Sequence, residues 1–345
     1  MSIRPATSEE LARWDDLITA SPDGGNIFSS KVYAEQKVAQ GGYKAHYLIV
    51  QTQPVTILEK TAPPFGKYWY LPKGPNVTTP EQLFTILKEL TPYAKKRGVF
   101  VIRVESEIDR QQQALLERKG LVSARAIIPN PSTITLDITA DEETLLASLP
   151  QKGRHAIRRA ERDGVIVTSV KATNKNCEIM FSLLAETAKG QFGLRPYDYY
   201  RTFWQRFEKA GYGQLFFASV ENTVVAGAYA MTLGKKSTYK DGASVRDRPA
   251  YGSSHLLQWR VIQWAKSRGA VIHDFCGSPP SDEINNPDHP HYGIGRFKQS
   301  FSRHVVDYIG CEDVVIKPTS YALWNKVGER IYHRLHYKRT NDYYY

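Results

Sequence analysis

Two hydrophobic rhythms divide this chain. In the first half, apolar and β-branched residues concentrate at 45–50 and 67–72, which read as strands. They lead through 70-YLPKGPNV-77 into 80-PEQLFTILKELTPYAKKRG-98, where apolar positions recur every three or four residues, as in an amphipathic helix. The second half repeats this order. Strands at 214–220 and 223–232 form a hairpin around Glu221 and Asn222, and a third strand lies near 237–243. The loop 248-RPAYGSS-254 then opens a helix over 255–269. Between the halves, 139–164 reads as helical, with Leu145, Leu146 and Leu149 as its buried stripe and a break at Pro150. Trp324, Val327, Ile331 and Leu335 have helical spacing, so a last helix should pack back on the first half, leaving Tyr343–Tyr345 disordered. Near the start, Thr7 and Glu10 have the spacing of a helix capping box.

The halves also match in detail. Residues 93-YAKKRGVFVIRVE-105 and 264-WAKSRGAVIHDF-275 share aromatic-Ala-Lys-x-Arg-Gly, then a β-rich run ending near an acid. Cationic side chains followed by glycine suit a helix C-terminus, where they face the dipole and a left-handed cap. Meander, loop, helix, strand is the central order of an N-acetyltransferase-like (GNAT) fold. The expected class is therefore α/β (α+β), with two tandem GNAT-like domains: 1–138 plus 318–345, and 139–317.

Composition narrows the class further. A chain of 345 residues suits two domains, and its 41% hydrophobic content can supply both cores. Cys177, Cys276 and Cys311 are widely spaced, which excludes a CxxC zinc or disulfide framework. No apolar run has signal-peptide or membrane-span character, so the reading is cytoplasmic. The formal charge of +11 favours a polyanionic partner, nucleic acid, nucleotide phosphate or an anionic leaflet. Arg154, Arg158 and Arg162 recur every four residues and would form a cationic stripe roughly 12 Å long on a helix.

No triad, P-loop or metal cluster stands out. His289 and His291 are a close pair, but no carboxylate cluster completes a metal site there. A GNAT enzyme cradles the pyrophosphate of coenzyme A on a glycine-rich loop at a helix N-terminus. In 248-RPAYGSS-254 only Gly252 stands where two glycines are expected, Tyr251 crowds the approach, and 73-KGPNV-77 is equally poor. Three function classes stay open on these residues: an acyltransferase with another donor, an acyl-CoA-dependent N-acyltransferase, and a non-catalytic basic RNA-binding protein.

The ordered set 70-YLPKGPNV-77, 135-TLDI-138, 152-KGRHAIRRAERDGV-165, 192-FGLRPYDYY-200, 239-YKDGAS-244, 273-HDFCGS-278 and 293-GIGRFKQSF-301 resembles the Fem-type (FemABX) peptidyltransferases. The resemblance spans about residues 25 to 316, without the long helical arm of some members. It implies a monomeric aminoacyltransferase that uses aminoacyl-tRNA as co-substrate, with no other cofactor and no metal. The acceptor would be the stem-peptide amine of UDP-MurNAc-pentapeptide or lipid II, met in the cytoplasm or at the inner face of the membrane. By the same resemblance Phe297 and Lys298 lie at the transfer site, expected at the domain interface, with Lys298 facing the tetrahedral oxyanion. Lys37 and Arg195 would hold precursor phosphate, with Tyr199 and Tyr239 as further contacts. Arg154, Arg158 and Arg162 are candidate tRNA contacts. Glu105 stands where the family often has Asp; it is a candidate base or orienting group whose reach is one methylene longer.

Overall fold

The computed structural model describes residues 3–128, 131–189, 192–246 and 250–345. Its chain divides into two units, Met1–Pro131 with Asp307–Tyr345, and Ser132–Val306. These divisions fall earlier than the 138/139 and 317/318 boundaries read from the sequence. The reason is strand pairing. Ser132–Asp137 pairs antiparallel with Ile272–Asp274 in the second unit. Cys311–Val315 instead lies between Val99–Val104 and Val122–Ala124 in the first.

Among the described residues each unit carries a seven-stranded sheet. The first runs Ile3–Pro5, Lys44–Val50, Gln53–Ala62, Gly66–Leu71, Val99–Val104, Cys311–Val315, Val122–Ala124. Three of these strands form an antiparallel meander, Lys44–Val50 to Gly66–Leu71. The Pro80–Lys95 helix follows and returns the chain to a strand, Val99–Val104, parallel to Gly66–Leu71. The second sheet repeats the device. Gly213–Val220, Thr223–Leu233 and Lys236–Ser244 are the meander, Ser253–Ser267 the helix, and Ile272–Asp274 the parallel return. This is the GNAT-like arrangement twice, as the internal repeat predicts. The middle strand of the first meander, Gln53–Ala62, was missed, because QPVTILEKTA mixes polar and apolar residues without strict alternation.

Local chemistry explains the shared corners. Thr79 caps the first helix by accepting from the Gln82 N–H, with Pro80 at the first helical position. Both helices end at the repeated Lys-x-Arg-Gly, where Gly98 (φ +78°) and Gly269 (φ +85°) take the left-handed conformation glycine adopts freely. At the hairpin, Glu221 (φ 47°) and Asn222 (φ 66°) both have the positive φ of a type I′ turn.

The returning segment is fastened to the first sheet by a buried bidentate pair. Arg103 Nε and Nη2 donate to Asp313 Oδ1 and Oδ2, each at 2.8 Å, and Tyr321 donates to Asp313 Oδ2 at 3.0 Å. Trp324, fully buried, packs edge-to-face on Phe65 and beside Phe100. The last helix thus packs on the first unit, but its predicted stripe does not hold: Val327, Ile331 and Leu335 are exposed. A π-helical turn at Trp324–Gly328 alters the helical phase after Trp324. The terminal tyrosines, expected to be disordered, are packed. Tyr344 is buried with Lys60 Nζ 3.7 Å from its ring centroid, and Tyr345 donates to Glu329 at 2.7 Å. No helix among the described residues is long and apolar enough to cross a membrane.

Candidate functional site

In the second unit, 139–164 breaks at Pro150 as the sequence requires, giving helices Glu142–Ser148 and Gln151–Arg162. The second of these helices packs by close backbone approach at two points. A β-carbon on Gly153 would fall inside contact distance of the Ser300 carbonyl oxygen, and one on Gly252 would collide with that of Ala156. Its outer face carries the cationic stripe. Arg154, Arg158 and Arg162, with Gln151, His155 and Glu161, line a depression of about 780 Å³.

Ser300 belongs to the turn that follows the short Tyr292–Lys298 helix, so Gly153 packs within two residues of Lys298. Lys298 is only 5% exposed. Its Nζ donates to the Cys276 carbonyl at 3.0 Å and the Gly277 carbonyl at 2.6 Å. That loop is held by its own network. Thr133 donates to Asp274 Oδ1 at 2.5 Å, the Cys276 N–H donates to the same oxygen at 2.7 Å, and the Gly277 N–H donates to Thr133 Oγ1 at 3.0 Å. Cys276 has φ +59°, a conformation costly for a residue with a β-carbon, so its carbonyl direction is held by these bonds. Burial pulls the Lys298 ammonium down to about 8, so near neutral pH it remains mostly charged. Beneath it His273, bonded to Ser237 and Gln258, is pushed down to about 3 by burial and then by Lys298. It is therefore a neutral core histidine.

Phe297 lies edge-on to His255 and Phe301, with centroids 5.0 and 5.5 Å away, and packs on the core of the second unit. Arg195 and Tyr199, four apart in sequence, would share a helix face if both were helical. The helix is Tyr197–Lys209, so Arg195 precedes it and shares no helical face with Tyr199. The two still meet, with the guanidinium 4.5 Å from the Tyr199 ring centroid. Tyr239 sits on the third meander strand, half-buried, with its hydroxyl over Gly242 and its proton held more tightly because of burial. The loop 248-RPAYGSS-254, read as a poor cradle for coenzyme A, lies partly outside the described residues, at Arg248 and Pro249. Its described part, from Ala250, sets Gly252 against the Gln151–Arg162 helix.

In the first unit, Glu105 directly follows the Val99–Val104 strand and is almost wholly buried. Tyr70 donates to its Oε2 at 2.5 Å, and Lys73 Nζ lies 3.8 Å from Oε1. Burial raises this carboxyl's affinity for a proton, opposed by Lys73 and the Tyr70 hydrogen bond. Lys37 is buried, its Nζ 5.8 Å from the ring centroids of Tyr33 and Tyr43. Sequence reasoning quoted 70-YLPKGPNV-77 and 273-HDFCGS-278 but gave no role to Tyr70, Lys73, Asp274 or Cys276. These supports are visible only once the loops are folded. Among the described residues, no group of three or more His, Cys, Asp or Glu could hold a metal ion.

The model of the FemAB family matches residues 132–221 and 213–328. Lipid II:glycine glycyltransferase of Staphylococcus epidermidis is 32% identical over 111 residues, covering 32% of this chain and 26% of the relative. The chain thus spans about a quarter of the length of that relative. The enzyme of the same name from Staphylococcus saprophyticus is 21% identical across 92% of this chain and 94% of its own. UDP-N-acetylmuramoylpentapeptide-lysine N(6)-alanyltransferase of Weissella viridescens is 26% identical across 78% and 82%. The crystal structure of FemX superposes with a TM-score of 0.80 at 19% identity, over 95% of this chain and 100% of that one, which shows a shared fold. With more than half of its length matched by the family's model, the chain belongs to the FemAB family.

Proposed function

We propose that this protein moves an amino acid from aminoacyl-tRNA onto the stem-peptide amine of a peptidoglycan precursor, UDP-MurNAc-pentapeptide or lipid II, building an interpeptide bridge. The observation that carries the reading is Lys298, a buried ammonium aimed by two carbonyls, in a chain whose long-range relatives are named as transferases onto such precursors. An ammonium has three donors. Two are directed at Cys276 and Gly277, which sets the direction of the third.

In the reaction the acceptor amine attacks the aminoacyl ester carbon. The C–N bond forms, the carbonyl oxygen becomes an oxyanion, and the third N–H of Lys298 bonds to it. Collapse breaks the ester C–O bond; the tRNA hydroxyl leaves with a proton from the former amine, and no enzyme-bound acyl group is needed. A donor fixed in a buried site needs no reorganisation as the charge develops, which is why such donors lower barriers strongly. Within the second unit Phe297 walls one side, Arg195, Tyr199 and Tyr239 hold the precursor, and Arg154, Arg158 and Arg162 contact tRNA phosphates.

Acetyl-CoA is the rival donor on this fold. Against it, Gly252 at the start of the Ser253–Ser267 helix packs closely on the Ala156 backbone, so this single glycine serves helix packing. The test is transfer of labelled amino acids from a charged tRNA pool to each precursor, with acetyl-CoA in parallel. Ribonuclease-sensitive labelling supports the reading and identifies the acceptor. Labelling from acetyl-CoA alone overturns it.

A further inference from the structure

The helical run Pro318–Thr340 carries two exposed ladders on the first unit. One is aliphatic: Leu323, Val327, Ile331 and Leu335, exposed by 48%, 38%, 52% and 47%. The other stands one residue before each of the last three rungs and continues one turn beyond them: Lys326, Arg330, Arg334 and Lys338, all exposed. Side chains three and four apart share a helix face, so each ladder spans about 18 Å, and the two run side by side from Lys326 to Leu335. From 317 to 340 the sequence has six Lys or Arg and a single acid, Glu329. That acid faces the first unit, bonded by Tyr345 and 3.6 Å from Arg103.

We infer that this face docks on an anionic lipid bilayer, its aliphatic ladder entering the interface and its cations meeting lipid phosphates. The pairing of chemistries selects the occupant. An apolar row flanked by Lys and Arg is the pattern of helices that lie in the plane of a membrane surface. Anionic headgroups attract the cations, and burying the aliphatic row removes apolar surface from water. RNA would satisfy the cations but offers nothing to four exposed aliphatic side chains. A second copy would bring one strongly cationic face against another. The inference concerns binding alone and stands apart from the transfer reaction.

The experiment is flotation of the full chain with vesicles of equal phosphatidylglycerol and phosphatidylcholine, and with phosphatidylcholine alone. Two variants accompany it: Ile331→Gln with Leu335→Gln, and Arg330→Gln with Arg334→Gln and Lys338→Gln. Gln favours helix, the replaced side chains are exposed, and thermal unfolding checks that both variants fold. The wild type is expected to partition onto the anionic vesicles and weakly onto neutral ones. Each variant should lower the anionic partition coefficient at least tenfold. Failure of the wild type to bind anionic vesicles overturns the proposal. So does full binding by the aliphatic variant with loss in the charge variant alone, which would mark a polyanion surface such as an RNA contact. A wild-type dimer that the aliphatic variant abolishes, without vesicle binding, would make this face a contact between copies and also overturn it.

Discussion

Replacing Lys298 with Met asks how much the buried ammonium costs the fold. Burial lowers the lysine from 10.5 to about 8. Between those values the unfolded chain holds a proton that the folded chain has released. Stability therefore rises with pH across this window, and below about pH 8 the whole cost of burying the charge is present. A lowering of that size corresponds to about 3 kcal/mol. Of this, about 2 kcal/mol is recovered between about pH 7 and pH 9.5. The assay is equilibrium urea unfolding of wild type and Lys298→Met at both pH values with the same probe, so that all other titrating groups cancel in the difference. The wild type should gain about 2 kcal/mol more than the Met variant on going to the higher pH. Met preserves length and apolar packing but leaves the Cys276 and Gly277 carbonyls without this donor. At neutral pH the two effects oppose each other. Parallel pH responses in the two proteins would refute the argument that Lys298 is a desolvated cation.

Other perturbations test the surroundings. Glu105→Gln removes the counter-charge of Lys73, itself 7% exposed, and should cost about 3 kcal/mol in urea unfolding. Adding Lys73→Met should recover part of that loss, because the buried ammonium that faced the carboxylate is then gone. Gly153→Ala puts a β-carbon against the Ser300 carbonyl and should cost about 1–3 kcal/mol. Since Ser300 is two residues beyond Lys298, the same change should lower kcat more than acceptor affinity. Replacing Arg154, Arg158 and Arg162 together with Ala should weaken tRNA binding and flatten its log–log salt dependence by about two units. Unchanged tRNA-dependent activity would remove the stripe from the tRNA surface.

The duplicated fold was legible because its signal is repeated and local. The Lys-x-Arg-Gly caps, the Glu221–Asn222 turn and the Pro150 break each depend on residues within a few positions of one another. The unit boundaries were not, because the pairing of Cys311–Val315 with Val99–Val104 and the Arg103–Asp313 bridge join residues 210 apart in sequence. Resemblance marked Lys298 and Phe297, but the Thr133–Asp274–Cys276 network that aims the lysine comes from three separated segments. The 324, 327, 331, 335 spacing gave a helix correctly and its buried face wrongly. Periodicity reports an apolar stripe, and only packing shows that Trp324 alone turns inward.

Single-turnover transfer from preformed aminoacyl-tRNA, comparing wild type with Lys298→Met near neutral pH, bears most directly on the transfer site. The oxyanion role requires the rate to fall by about 10²–10³, with acceptor Kd changed less than about twofold, as for an interaction made only in the transition state. An unchanged rate, or a loss confined to acceptor affinity, would contradict the assignment and make Lys298 a binding or structural lysine.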